Sequence, residues 1–103
     1  MNQATQIDQN IQYMHYRGQD VRGGATVAIM PIANNRVYLS VARCGPQDVF
    51  NKKVGRDIAT GRLRAYIAGR TSVQIREIPV DPLNVKASVD NVIGEEMAAD
   101  GLF

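Results

Sequence analysis

Between residues 25 and 43 apolar and polar positions alternate in two runs, ATVAIMPI and RVYLSVAR, and this period of two predicts a pair of β-strands. The runs meet at ANNR, where Asn34 and Asn35 tolerate the positive φ of a tight turn, so residues 25–43 are predicted to form an antiparallel hairpin. Pro31 has no N–H to give to a ladder and marks either a sheet edge or a bulge. IQYMHYR at 11–17 also alternates, with Ile11, Tyr13 and His15 on one face and Met14 and Tyr16 on the other. Strand character returns from Thr71 to Val80 and stops at DPLN.

After CGPQD, which reads as a turn, the apolar spacing changes from two to three and four. Phe50, Val54 and Ile58 predict a helix over 47–60 with those three side chains packed inward, capped through Pro46 or Asp48 and ended at Gly61, or continued for another turn or two through RLRAYIAG. Val85, Val89, Val92, Ile93 and Met97 predict a second helix, interrupted by Gly94. The sum is an α+β fold: a sheet based on an antiparallel β-hairpin, packed against one main helix, with a second C-terminal helix.

Length and composition narrow the picture. One domain spanning 1–103 is expected, with residues 1–10 loosely ordered and 81–103 forming an acidic C-terminal segment; a chain this short has little room for a separate substrate cleft. That shortage of concave surface predicts a homo-oligomer, a dimer or higher. No run reaches the roughly 20 apolar residues of a membrane span, and MNQATQIDQN lacks the features of a signal peptide, so a cytoplasmic protein is expected. Charge is unevenly placed: residues 11–76 hold eleven lysines and arginines against three aspartates, whereas 77–103 hold Lys86 against six acids. One region can therefore attract an anion, unless the acidic tail lies over its own basic patch.

Catalytic chemistry finds little support. With one histidine, His15, and one cysteine, Cys44, no multi-ligand zinc cluster can be assembled, and no cofactor is expected. Asp48 and Asp57 are better explained as a helix cap and an ion-pair partner than as paired catalytic carboxylates. GRDIATGRL resembles a phosphate loop only superficially: five residues separate Gly55 from Gly61 where four are needed, and Arg62-Leu63 replaces Lys followed by Ser or Thr. Nucleotide hydrolysis is excluded on that ground, but arginine forks bind phosphate without a metal.

DVFNKKVGRDIATGRLR carries five cations in seventeen residues. Gly55 in a helix interior costs roughly 1 kcal/mol against alanine, so it asks for a close approach by backbone, ring or ligand, helix packing being the simplest. If Gly61 ends the helix, Arg56 and Arg62 can turn toward one ligand as an anion clamp. The candidate ligand-binding residues are Arg43, Phe50, Lys52, Arg56, Arg62 and Arg64, with no catalytic and no metal-binding residue.

The stretch CGPQDVFNKKVGRDIATGRL, preceded by a β-hairpin, resembles small bacteriophage accessory proteins, and among them the anti-Thoeris sponge family, over residues 25–64. The resemblance implies an α+β protomer that sequesters cyclic ADP-ribose-type signals or cyclic oligonucleotides in the host bacterial cytoplasm, without chemistry on the ligand, at sites where subunits meet. The expected function is thus non-enzymatic binding of a small phosphorylated nucleotide immune signal. The alternative is a phage accessory module whose cations meet a nucleic acid or an acidic host protein.

Overall fold

The computed structural model describes residues 10–17, 22–70 and 72–99. Strands β1 (Gln12–Arg17), β2 (Arg22–Ala33) and β3 (Arg36–Val49) are followed by helix α1 (Lys52–Ile67), strand β4 (Arg76–Pro79) and helix α2 (Val85–Ala99). The four strands form one antiparallel sheet in the order β1-β2-β3-β4. Its two faces are covered by different helices, giving the expected α+β architecture.

Alternation along the strands decides which side chains meet which helix. Tyr16, Ala25, Val27, Ile29, Val37 and Leu39 point to one face, where they pack with Val89, Ile93 and Met97 of α2. Ala28 and Ala42 point to the other, against Ala59 and Leu63 of α1, and Tyr13, Met30 and Tyr38 border that cluster. The first layer is built from large aliphatics. The second is built from small residues, so α1 lies close to the sheet: Ser40, fully buried, donates a 2.7 Å hydrogen bond from Oγ to the Ala59 carbonyl within the helix.

The β2–β3 hairpin forms as the alternation predicts, but its turn differs. Neither asparagine has positive φ. A register shift between Pro31 and Ala33, the mark of a β-bulge, lies next to the turn. Pro31 is at this bulge, beyond the last β2 residue paired with β1, so its missing N–H interrupts no ladder on that side.

CGPQD is not a turn into a helix. β3 continues through it, and a bulge lies between the pairs Gly24↔Cys44 and Arg22↔Val49, where β3 spends more residues than β2. The Cys44 sulfur lies 3.5 and 3.6 Å from the carbonyl oxygens of Asp48 and Val49, inside this excursion. The helix therefore starts later than predicted, at Lys52, with the Asn51 side chain accepting a hydrogen bond from the Val54 N–H at 3.1 Å as N-cap. It also ends later. Gly61 keeps negative φ inside the helix, and Gly69, at φ +94°, closes it: Gly69 N–H reaches the Tyr66 carbonyl and Arg70 N–H reaches the Ala65 carbonyl, the paired bonds of a Schellman motif.

The inward face of α1 is corrected as well. Val54 and Ile58 are 51% and 44% exposed, while Ala59, Thr60 and Leu63 are buried and Phe50 precedes the helix. The close approach to Ala28, Ser40 and Ala42 selects small residues for the contact, and hydrophobicity weighs small residues lightly. β4 covers only part of the predicted 71–80 strand, and Thr71 lies outside the described residues, as do residues 1–9. The second helix buries Val89, Ile93 and Met97 as predicted and runs through Gly94 without a break.

Candidate anion-binding site

Lys52, Arg56, Ala59 and Leu63 follow one another at spacings of four, three and four, the spacing of a single helix face. The last two are buried against the sheet. Lys52 and Arg56 thus continue the sheet-facing stripe of α1 beyond the core, beside Gly55, which packs on β2. Opposite them is His15, whose Nδ1 shares a 2.9 Å hydrogen bond with Oγ1 of the fully buried Thr26. Thr26 in turn is the residue over which Gly55 packs: a Cβ at position 55 would collide with Thr26 Oγ1 and stand 2.8 Å from Thr26 Cβ.

Phe50 completes the arrangement. Its ring meets the His15 ring edge-on with centroids 6.0 Å apart, and the Arg17 guanidinium carbon lies 5.6 Å from its centroid, a cation–π contact. Phe50 approaches the backbone at Gly24, where a side chain would be obstructed by the Tyr16 carbonyl and by the Phe50 ring itself. His15 and Arg17 thus meet the Phe50 ring, and the charges of Lys52 and Arg56 act on the same imidazole.

Burial first, and then the charges of Lys52, Arg56 and Arg17, hold the His15 imidazole below its ordinary value of 6.5. All three charged neighbours in that balance are cations. Among the described residues, none of Arg17, Lys52 and Arg56 forms an ion pair with a carboxylate. Lys52 and Arg56 also repel each other as a like-charged pair four apart on a helix.

The rest of the basic charge is treated differently. Glu77 pairs with Arg36, and Glu96 pairs with Arg76 and, at 3.9 Å, with Arg43. Lys53 pairs with Asp57 at 3.2 Å. Acidic residues do pair with basic ones on the β3–β4 side of the sheet, whereas among the described residues no carboxylate pairs with Arg17, Lys52 or Arg56.

Six residues of helix turn through about 600°, so Arg56 and Arg62 are not brought to one point. Arg62 crosses the other flank of α1 and donates through Nη1 to the Val41 carbonyl, at a level of β3 where β4 no longer pairs with it. It shares a cavity of about 520 Å³ with Arg43, Arg76 and Glu96. Arg64 stands exposed in the last turn of α1, where a cation suits the helix C-terminus. Of the six candidate residues, Lys52 and Arg56 act on His15 beside Phe50, Arg43 lines one groove with Phe50 and a cavity with Arg62, and Arg64 stands in the last turn of α1.

Comparison with known proteins finds no matching family model, no matching curated protein and no matching solved structure. Function is therefore argued from the site.

Sequence reading missed His15 and Arg17 as members of this site. The available signal was the alternation of β1, which puts His15 on the face that α1 covers. No group of three or more metal-ligating side chains occurs among the described residues, and no helix of the structure is long and apolar enough to cross a membrane. Cys44 meets carbonyl oxygens and His15 meets Thr26, so neither is poised on the other as nucleophile and base.

Proposed function

We propose that the protein binds a small phosphorylated nucleotide without transforming it, with the phosphate held by Arg17, Lys52, Arg56 and the His15 ring and the base lying against Phe50. One observation carries this reading. The sheet-facing stripe of α1 ends in two cations, and with Arg17 they converge on a half-buried imidazole with no carboxylate to balance them among the described residues. Such a cluster costs stability in the free protein and is relieved by a bound anion. Phosphate matches it in charge and in the number of acceptor oxygens, and guanidinium forks bind it in pairs.

The biological setting proposed with it is the one implied by the resemblance of residues 25–64: sequestration of a nucleotide immune signal by a phage protein in the cytoplasm of its bacterial host. Isothermal titration against cyclic ADP-ribose isomers and cyclic di- and trinucleotides tests both levels. Arg56→Ala is expected to weaken binding by roughly 1.5 to 3 kcal/mol, the range for a charge-assisted hydrogen bond, and Arg56→Lys to restore only part of it. Equal affinity of the wild-type, Lys52→Ala and Arg56→Ala proteins would move the ligand elsewhere. If none of these nucleotides binds while duplex or single-stranded nucleic acid binds with a steep salt dependence, the nucleic-acid reading takes over.

A further inference from the structure

Gly61 lies in the interior of α1, exposed, and a Cβ built on it would meet nothing within 4 Å. Glycine is the poorest helix residue short of proline, and nothing inside the protomer asks for it there. Gly55, on the same helix, has its reason in Thr26; Gly61 has none.

The residues along its stripe supply one. Val54, Ile58, Gly61 and Ala65 follow at spacings of four, three and four, and therefore form a line along one side of α1, away from the buried stripe of Ala59 and Leu63. Val54 and Ile58 are large apolar residues left 51% and 44% exposed, and Val49, 64% exposed, lines the same groove beside them. Along the line the sizes run large, large, small, small.

That order is self-complementary under a two-fold axis. When the helix is laid antiparallel on a copy of itself with Ile58 over Gly61 of the second copy, Val54 falls over Ala65 of the second copy, and every large side chain meets a small one. The same register sets Asp57 beside Arg64 of the second copy, because both residues lie on one flank of the stripe and their charges are opposite. A parallel arrangement would instead set Ile58 on Ile58 and Gly61 on Gly61, large on large and small on small. We propose that this side of α1 is the docking surface for a second copy of the chain, forming a C2 dimer through antiparallel α1 helices with Ile58 seated over Gly61. The inference stands independently of the nucleotide reading.

Sedimentation equilibrium from 1 to 200 μM, with circular dichroism to follow the fold, tests it. The wild-type chain of 11.3 kDa is expected to approach twice that mass within this range. Gly61→Leu is the decisive variant. Within the protomer it meets no obstacle and improves helix propensity, so thermal stability at low concentration should hold or rise, while the added side chain collides with Ile58 of the second copy and dimer affinity falls at least tenfold. Ile58→Asp should give the same loss. A wild-type protein that stays monomeric throughout, or a dimer that survives both substitutions undiminished, overturns the proposal, the latter by placing the interface on another face.

Discussion

Gly55 of α1 packs directly on Thr26 of β2, so closely that a Cβ at position 55 would stand 2.8 Å from the threonine Cβ. Thr26 is fully buried and its hydroxyl is bonded to His15, so it has no room to yield. Gly55→Ala gains about 1 kcal/mol of helix propensity but overpacks this contact, at about 1–3 kcal/mol. The expected outcome is a net loss of about 1 kcal/mol in urea denaturation, and Thr26→Ser in the same chain should not restore it, because the serine Cβ and Oγ remain in place.

The second prediction concerns acid. The folded imidazole of His15 is held below 6.5 by burial and by Lys52, Arg56 and Arg17, whereas the unfolded one has the ordinary value of 6.5. Between those two values the unfolded chain binds the extra proton, so stability falls as pH drops below about 6.5 and levels off below the folded value. His15→Gln should flatten this part of the stability–pH curve. Saturating inorganic phosphate should reduce the same loss in the wild-type protein, since an anion among the three cations removes their opposition to a protonated ring. Unchanged slopes in both experiments would show that the three cations do not govern His15.

Tyr16 donates a 3.0 Å hydrogen bond from its hydroxyl to Asp90 Oδ1 and so ties β1 to α2. Burial, that bond and the Asp90 charge raise its ionisation well above the ordinary tyrosine value of 10.0. Because the folded value lies above the unfolded one, the stabilisation is complete below pH 10 and is lost only as pH rises beyond it. Tyr16→Phe should cost about 1 kcal/mol at neutral pH. In a spectrophotometric titration one tyrosine should ionise only with alkaline unfolding, and that step should vanish in the variant.

At the end of α1, Gly69 adopts φ +94° in the Schellman closure. Added bulk meets nothing within 4 Å, so any loss in Gly69→Ala comes from the left-handed backbone alone. It is expected to be about 1 kcal/mol, and Gly69→Asn, which tolerates that conformation better, should lose less.

Stability and binding should part company at Arg56. Arg56→Ala removes a like-charge neighbour of Lys52 and of His15, so thermal stability should hold or rise by a few tenths of a kcal/mol, measured by scanning calorimetry at low salt, while nucleotide affinity falls. A marked loss of stability would make Arg56 a structural residue.

The periodicities of the chain were enough to determine the α+β class, the β2–β3 hairpin, both faces of β1 and the buried stripe of α2, because in each the burial is carried by large apolar side chains whose spacing is plain in the sequence. Phe50, Val54 and Ile58 gave an equally plain spacing for α1, yet the tertiary structure turned that helix to bury Ala59, Thr60 and Leu63, since the alanines, serine and threonine on this face of the sheet admit a helix only at close range. That rotation also decided the candidate site. It brought the charges of Lys52 and Arg56 to bear on His15 and sent Arg62 to the open edge of β3, and the packing of α2 brought Glu96 to Arg76 and Arg43. Which cations share a place and which are neutralised depends on contacts between residues distant in sequence, and no local period encodes those.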